Sequence, residues 1–356
     1  MGKFLFQLFD QVLANGSNQL TDNVDTYRFG QAESVQVDDN PACWRQELAR
    51  IEPYLDGLER TYALWADDAS RRLMIQLFAF RILGNRKVRL PLSHPGYLPA
   101  ITDVRKRMLK EPEVIPLNFL NWKLGLFDLG PIGYPIRIYF TEKGVHTIFV
   151  LDHYRHPLPG GQIGVEPGDW VIDGGGCWGD SALQFAHRTG PAGRVFSFEI
   201  LPDNQEIFQR NMALNPELSS RVRFHGAALW NVSDQTLAVE VNGPGSSVME
   251  KFHGESTRNV KTVAIDDLVA REGIEHLDFI KMDIEGAELN ALKGARMTLE
   301  RFRPKLAISV YHKLEDWVTI LDYLSGLDLG YEFYLGHFSI HLEESILFAR
   351  CLPGHP

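Results

Sequence analysis

Ionisable side chains follow the apolar runs in the second half of the chain. Asp173, Glu199, Asp283 and His312 each stand directly after a short β-rich run, and Glu285 lies two residues beyond Asp283. In a sheet of parallel strands the residues that follow the strands meet at one edge, where ligands bind. Packing alone gives no reason to place so many ionisable groups there. The pattern therefore predicts a binding or catalytic site at that edge.

A glycine-rich turn follows the first of these runs. Residues 169–180 read DWVIDGGGCWGD, and a segment of helical character, SALQFAHR, comes next. A strand, a glycine turn and a helix bring backbone N–H groups close to a nucleotide-type ligand. Gly174, Gly176 and Gly179 fit the spacing G-x-G-x-x-G, and Glu199 lies twenty residues past Gly179. By spacing alone, the turn fits a dinucleotide site.

Asp173 distinguishes between two kinds of cofactor. A dinucleotide site normally keeps an apolar residue at this place, because an anion would lie near the pyrophosphate. A cofactor with a positive centre and no phosphate, such as S-adenosylmethionine, tolerates or uses the acid. Glu199 would then bind the ribose hydroxyls, since one carboxylate accepts two O–H bonds. The residues predicted to bind the cofactor are Asp173, Gly174, Gly175, Gly176, Cys177, Gly179, Glu199, Ala227, Ala228 and Asp283.

From residue 169 onward, β-rich runs and helical segments alternate. Alternation of this kind predicts a doubly wound, mostly parallel α/β sheet. The last two β-rich runs are YEFYLGHF and SILFARCL; a short loop joins them, which predicts an antiparallel hairpin at one edge of the sheet. We therefore predict a Rossmann-like domain in residues 151–356.

The first 150 residues carry mainly helical patterns. Near their end, two β-rich runs, YPIRIYFT and VHTIFVLD, flank a turn at residues 142–144, which predicts a β-hairpin. We expect residues 1–150 to form a mostly helical domain that covers the site of the substrate, called the acceptor site below, or builds a homodimer. Three aromatic residues, Trp122, Tyr154 and Tyr311, are candidates to stack on a sugar, and the polar loop 242–258 is a candidate lid or part of the wall of the substrate site.

The composition argues against several classes of protein. The chain has 356 residues, a hydrophobic fraction of 44% and a formal net charge of −10, without a basic block. It can bury a substantial core, and nucleic acid is not expected as its main partner. Three widely spaced cysteines indicate a reducing compartment and no disulfide framework. No segment has the apolar length of a membrane span or of a signal peptide, so we expect a cytoplasmic protein.

One segment carries a resemblance to a known family. Residues 279–295, FIKMDIEGAELNALKGA, resemble the FkbM-type S-adenosylmethionine-dependent methyltransferases, which carry D-x-E-G-A-E followed by LKGA. The resemblance extends to VIDGGGCWGDSAL, FSFEILPDNQEIFQRNMALNP, RPKLAISVYHK and YEFYLGHFSIHLEESILFA, within residues 150–350. It implies an O-methyltransferase whose acceptor is a hydroxyl of a sugar, a glycan precursor or a secondary metabolite. Cys177 departs from the family, whose loop has glycine or a small polar residue there, and we interpret it as a subfamily variant.

Methyl transfer to an alcohol is an in-line displacement that needs a positioned acceptor and removal of a proton. We expect His312 to act as the base, because imidazole titrates near neutrality. Asp283 and Glu285 have two interpretations. They could position the acceptor hydroxyl and the methionine end of the cofactor. Alternatively, together with His312, they could hold a divalent cation such as Mg²⁺ that acidifies the hydroxyl.

Two other functions stay open at this stage. The glycine spacing and Glu199 also fit an NAD-dependent oxidoreductase, although Asp173 and the D-x-E-G-A-E segment count against it. A non-catalytic partner subunit that keeps the fold and binds a protein is the third possibility. The complete set of Asp173, Glu199, Asp283 and His312 counts against loss of the site.

Overall fold

The computed structural model describes residues 2–26, 40–117, 123–240, 247–249 and 257–352. The chain divides into two compact units: Met1–Ala100 with Val310–Pro356, and Ile101–Ser309. The boundary that the sequence predicts near residue 150 falls inside the second unit. Trp122 and most of the candidate lid at 242–258 lie outside the described residues.

Thirteen α-helices lie in the described ranges. They are α1 Lys3–Asn15, α2 Pro41–Ile51, α3 Leu55–Leu64, α4 Asp68–Leu83, α5 Tyr97–Met108, α6 Glu142–Val145, α7 Asp180–Thr189, α8 Pro202–Leu214, α9 Pro216–Ser219, α10 Ile265–Glu272, α11 Glu288–Lys293, α12 Arg296–Phe302 and α13 Asp316–Gly326. None of the helices in this part of the chain is both long enough and apolar enough to cross a membrane.

Sixteen strands accompany them over the same ranges. They are β1 Leu109–Pro116, β2 Lys123–Asp128, β3 Arg137–Phe140, β4 His156–Leu158, β5 Gly161–Ile163, β6 Trp170–Gly174, β7 Arg194–Phe198, β8 Val222–His225, β9 Ala228–Leu229, β10 Thr236–Glu240, β11 Ser247–Met249, β12 Thr257–Val263, β13 Phe279–Met282, β14 Lys305–Ser309, β15 Tyr331–His337 and β16 Ser345–Cys351.

The second unit contains the parallel sheet, in the order β14-β13-β6-β7-β8. Every neighbouring pair among these five strands is parallel. Strands β6, β7, β13 and β14 are mostly apolar and buried on both faces, as expected where helices connect parallel strands, whereas none of the residues of β8 is fully buried. The chain leaves β6 toward β7 and β8, and later returns to the other side of β6 as β13 and β14. The prediction of a doubly wound, mostly parallel sheet is confirmed.

The first unit joins the N-terminal helices to the C-terminal residues. The Trp317 ring of α13 lies 5.3 Å from Phe78 of α4, and its backbone carbonyl accepts a hydrogen bond from Thr61. The N–H of Ala66 donates to the carbonyl of Phe333 in β15. Strands β15 and β16 pair antiparallel from Tyr331 to His337. The predicted C-terminal hairpin is therefore confirmed.

The hairpin predicted around residues 142–144 is wrong. Thr141 accepts a hydrogen bond from the N–H of Gly144 and starts helix α6, and a π-helical turn covers His146–Val150. Val145, Ile148 and Phe149 are buried, and their spacing is that of one helical face. Tertiary burial thus overrides the β-propensity of this run. Strand β3 pairs instead with β2, which precedes it.

Candidate functional site

The site lies where the parallel sheet changes its direction of winding, between β6 and β13. Ligands of doubly wound folds bind beyond the carboxyl ends of the strands at such a switch point. Asp173, Ser197 and Lys281 occupy matching positions on β6, β7 and β13, because Asp173 pairs in register with both of the others. Their side chains therefore lie side by side at the switch point.

Asp173 is fully buried, and both of its carboxylate oxygens are occupied by protein groups. Oδ1 accepts from the Ser181 hydroxyl at 2.9 Å and lies 3.3 Å from the Lys281 ammonium. Oδ2 accepts from the Ser197 hydroxyl at 2.7 Å. The acid that the sequence singles out as a cofactor ligand is thus the centre of an internal network of protein groups.

Lys281 is the ionic partner of Asp173 and is 1% exposed. Its ammonium also donates to the carbonyls of Gly174 at 3.0 Å and Gly175 at 2.6 Å. Burial alone would lower the pKa of this amine, but the carboxylates of Asp173, Asp283 and Asp180 outweigh burial and raise it above its ordinary value. Lys281 therefore stays charged and holds two carbonyls of the glycine turn. Sequence reasoning gave it no role, although a lysine inside the buried run FIKM was a visible signal.

Several backbone N–H groups of the glycine turn are hydrogen-bonded to carbonyls of the protein's own backbone. The N–H groups of Gly175 and Gly176 both donate to the carbonyl of Phe198, at 3.1 and 2.7 Å, and the N–H of Gly179 donates to Gly176. A Cβ on Gly175 would collide with the carbonyl oxygen of Asp283, and its φ is +82°. Glycine is required here because the backbone at Asp283 lies against the turn, and this requirement exists without a bound phosphate.

Cys177 also has a positive φ, of +41°. Burial raises the pKa of its thiol well above the usual value, and the nearby Asp180 and Glu199 act in the same direction. A neutral thiol is a poor nucleophile. This agrees with the interpretation of Cys177 as a variant of the turn.

Glu199 follows β7 and is 7% exposed. Its Oε1 accepts from the N–H of Leu201 at 2.7 Å, and the nearby Ile200 N–H and Asn204 side chain act to lower the pKa of the carboxyl. Burial nevertheless raises its pKa to about 7. The Asn204 side chain in turn accepts from the indole N–H of Trp178 in the glycine turn, at 3.0 Å.

Asp180 begins helix α7 and is a second buried acid that sequence reasoning did not single out. Burial raises its pKa to about 7, against the opposing effect of the Lys281 charge. Its Oδ1 is shielded from solvent and has no hydrogen-bond partner among the described residues. The region around the turn thus holds several acids and one ammonium.

Asp283 stands where β13 ends, and its N–H donates to the carbonyl of Gly174. The Tyr154 hydroxyl donates to its Oδ2 at 3.1 Å, and the Tyr154 ring lies 5.1 Å from the Lys281 ammonium. Glu285 is half-buried with a φ of +56°, and Glu288, which is fully buried, accepts from the N–H of Ile284. Asp283 and Glu285 therefore lie on one tight turn beside the glycine turn.

An apolar cluster lies beside this turn. Ala228 opens β9 and is buried, whereas Ala227 between β8 and β9 is half-buried. The buried members of the cluster are Leu201, Ala228, Trp230, Leu237, Val239, Val260 and Ala287, and partly buried Ile200 and Ile284 pack against them. Ile200 directly follows Glu199, so this side of the turn offers apolar surface next to the acid.

His312 belongs to the other compact unit, three residues after β14 ends. Its ring lies 4.2 Å from that of Tyr311, and the side chain is half-buried. Its predicted partnership with Asp283 and Glu285, as base or as metal ligand, stays a prediction. Within the second unit, Asp173, the glycines, Cys177, Glu199 and Asp283 are gathered around one strand edge.

The known proteins that this chain resembles are methyltransferases. Residues 162–333 match the model of the Methyltransferase FkbM domain. The chain is 25% identical over 155 residues to Methyltransferase sdnD of Sordaria araneosa, an alignment that covers 35% of the chain and 60% of the relative. It is 27% identical over 146 residues to Methyltransferase 1 of Beauveria bassiana, covering 35% and 57%. The chain thus spans 60% or less of the length of these two curated relatives.

A solved structure extends the likeness to the fold. The crystal structure of Methyltransferase FkbM from Methylobacillus flagellatus is 20% identical, with a TM-score of 0.52, and the match covers 85% of this chain and 60% of that one. At this identity the likeness concerns the fold, and it confirms the predicted Rossmann-like methyltransferase architecture. The chain therefore carries an FkbM methyltransferase domain in residues 162–333, and the acidic glycine turn lies near the start of this domain.

Proposed function

We propose that the protein is an S-adenosylmethionine-dependent O-methyltransferase, whose acceptor is a hydroxyl of a sugar, a glycan precursor or a secondary metabolite. The family match at residues 162–333 and the two relatives that are called methyltransferases support methyl transfer. The choice of cofactor and the choice of oxygen as acceptor rest on the residues of the site.

The observation that carries the proposal is the chemistry of the glycine turn. A pyrophosphate needs free N–H donors and a positive environment. Here the N–H groups of Gly175 and Gly176 are hydrogen-bonded to the carbonyl of Phe198, and the buried acids Asp180 and Glu199 lie near the turn. The neighbouring ammonium of Lys281 is already paired with Asp173. This set suits a ligand that brings positive charge and no phosphate.

The donors and acceptors present also fit the rest of S-adenosylmethionine. The buried Glu199 carboxylate suits the two ribose hydroxyls, since hydroxyl donors to a carboxylate make strong, charge-assisted bonds. Ile200 and Ile284 offer apolar surface for an adenine ring next to that acid. Asp283, held by Tyr154, suits the ammonium of the methionine end. When bound, the cofactor supplies an electrophilic methyl group on a sulfonium.

The remaining roles follow from what these side chains can do. We assign to Asp283 and Glu285 the orientation of the acceptor hydroxyl and to His312 the removal of its proton. A divalent cation such as Mg²⁺ on Asp283, Glu285 and His312 is the alternative way to acidify the hydroxyl. The acceptor itself is a small molecule or a glycan.

Calorimetric titration tests the cofactor. The purified protein is titrated with S-adenosylhomocysteine and, separately, with NADH, each with and without Mg²⁺. We expect binding of the first alone and its loss in Glu199→Ala. The matched control is Glu206→Ala, which removes an exposed glutamate of α8 that pairs only with Arg210 on the same helix; it should leave the affinity unchanged.

Each alternative function has its own outcome in this titration. Binding of NADH alone would establish the oxidoreductase and discard the methyltransferase. Binding of neither ligand would favour a partner subunit. If S-adenosylhomocysteine binds, transfer of a labelled methyl group to a panel of hydroxylated acceptors then tests O-methylation, and its loss in His312→Ala with unchanged cofactor affinity tests the assignment of the base.

A further inference from the structure

The acid that follows β13 is held both by its backbone and by its side chain. The N–H of Asp283 donates to the carbonyl of Gly174 at 3.1 Å, and its own carbonyl oxygen lies against Gly175, where an added Cβ would collide with it. The Oδ2 of Asp283 accepts from the Tyr154 hydroxyl at 3.1 Å. An aspartate has only two side-chain torsions, so a fixed backbone and one bonded oxygen together restrict how the carboxylate can turn.

Tyr154 reaches Asp283 from an interior position. The tyrosine is 4% exposed. The Lys281 ammonium lies 5.1 Å from the centre of its ring, the Phe185 ring of α7 lies at 5.8 Å and the His153 ring at 4.4 Å. A ring that is enclosed in this way has no open face on which a sugar could stack, so that expectation from the sequence is wrong for Tyr154. What the tyrosine offers is a hydroxyl donor at a fixed place.

The segment that carries Tyr154 is tied to the helix that follows the glycine turn. The Asp152 carboxylate accepts from the Arg188 guanidinium at 2.7 Å and from the Gln184 side chain at 3.2 Å, and both donors belong to α7. The φ of Asp152 is +59°, and the N–H of Arg155 donates to the Asp152 carbonyl at 2.9 Å. Tyr154 therefore lies in a tight turn that α7 anchors. Helix α7 thus connects the glycine turn, which precedes it, to the turn that carries the tyrosine.

We propose that Tyr154 is a positioning residue that orients the Asp283 carboxylate for the ammonium at the methionine end of the cofactor. The inference rests on the proposed function, because it assumes that Asp283 binds this ammonium. Asp283 is half-buried, and an ionised carboxylate accepts about four hydrogen bonds, so the bond from Tyr154 uses only part of its acceptor capacity. A carboxylate that is already oriented avoids the cost of ordering it when the ligand binds. Tyr154 lies outside residues 162–333, so the family match by itself does not point to it.

The test compares two ligands that differ in one group. Affinities for S-adenosylhomocysteine and for its deamino analogue, in which hydrogen replaces the α-amino group, are measured by calorimetry for the unaltered protein and for Tyr154→Phe. The variant keeps the ring among its neighbours and removes the hydroxyl. We expect Tyr154→Phe to bind S-adenosylhomocysteine about fivefold more weakly, which is the cost of ordering one side chain on binding. Its affinity for the deamino analogue should change by less than about twofold, because that ligand has no ammonium for Asp283 to bind.

Two further variants test whether Tyr154 acts through Asp283. Asp283→Asn should weaken S-adenosylhomocysteine about tenfold, the size of one bond to a charged group, with less than about twofold change for the deamino analogue. The double variant should equal Asp283→Asn alone within about twofold, since the effects of two bonded partners are not additive. The control is Tyr62→Phe in the first unit, where an equally buried tyrosine donates its hydroxyl to the Gln7 side chain. It should leave both affinities unchanged.

The outcomes separate the inference from the proposed function. If the unaltered protein does not bind S-adenosylhomocysteine, the methyltransferase proposal fails. If it binds S-adenosylhomocysteine and Tyr154→Phe weakens both ligands equally or neither of them, Tyr154 is only structural and the inference is overturned while the proposed function stands. Should Tyr154→Phe fail to fold in a thermal melt, Asp283→Asn decides: weaker binding of S-adenosylhomocysteine alone supports the inference, and an equal loss for both ligands overturns it.

Discussion

Replacing Lys281 by methionine is expected to be among the most damaging single changes in the second unit. The lysine and Asp173 side chains are 2% and 0% exposed, and their charged atoms lie 3.3 Å apart. The ammonium has three protons and three protein acceptors, the Asp173 carboxylate and the carbonyls of Gly174 and Gly175. Methionine keeps the volume of the chain but leaves the buried carboxylate with two hydroxyl donors and no opposite charge. Removing one partner of a buried pair costs about 3–5 kcal/mol.

Urea unfolding followed by circular dichroism measures this loss, which is a large part of a typical total of about 5–15 kcal/mol. The control is Lys305→Met in the neighbouring strand β14, whose ammonium also pairs with two carboxylates, Glu166 and Asp169, but is 20% exposed. It should cost about 1 kcal/mol or less, as partly solvated pairs do. The double variant Asp173→Asn with Lys281→Met removes both charges and should be more stable than Lys281→Met alone. A loss below about 1 kcal/mol in Lys281→Met would refute the reasoning.

Two further predictions follow from the same turn. Burial raises the pKa of Asp180 from 3.8 to about 7, so between these values the folded protein binds a proton that the unfolded chain has released, and stability is lost progressively as pH rises to 7. The melting temperature of Asp180→Asn should therefore rise relative to that of the unaltered protein between about pH 5 and 7 and level off above it, and a difference that does not change with pH would contradict the assignment. Gly175→Ala should abolish binding of S-adenosylhomocysteine and lower the melting temperature strongly, because its Cβ meets the Asp283 carbonyl. Gly190→Ala shares a positive φ but has open space around the added atom, so it should cost only about 1–2 kcal/mol and leave binding intact; equal effects would show that the close contact is unimportant.

The sequence predicts the parallel sheet well and the first 150 residues less well, for a physical reason. Strands such as Trp170–Gly174 and Phe279–Met282 are short, mostly apolar runs that alternate along the chain with helical segments, a pattern typical of buried parallel strands. The run after Thr141 is equally rich in β-branched residues, yet it forms helix α6 and a π-helical turn, since its apolar residues also fit a helical face. Periodicity alone does not separate these cases for short segments. The burial that decides between them comes from the rest of the chain.

For the site, the sequence locates the strand ends but not the interior network. Glu199 and Asp283 were visible because they end apolar runs. Ser181, Ser197 and Asn204 have common side chains without a distinctive spacing, and only the register of β6 with β7 brings Ser197 to Asp173. The sequence also does not reveal that the N–H groups of Gly175 and Gly176 are already used. The G-x-G-x-x-G spacing predicts that another group approaches the backbone of this turn closely. It does not show whether that group belongs to a ligand or to the protein itself.

The internal use of the glycine turn explains why an acid is tolerated at its start. In a phosphate-binding turn the N–H groups face the ligand and an adjacent carboxylate would repel it. Here Asp173 points into the sheet, where Ser181, Ser197 and Lys281 satisfy it. Lys281 then draws two carbonyls of the turn toward itself, while two of the N–H groups bond to Phe198. The Asp173–Lys281 ion pair therefore fixes the shape of the turn from inside the sheet, and the acids around the turn, Asp180, Glu199 and Asp283, suit a ligand that brings positive charge and favours their ionised forms.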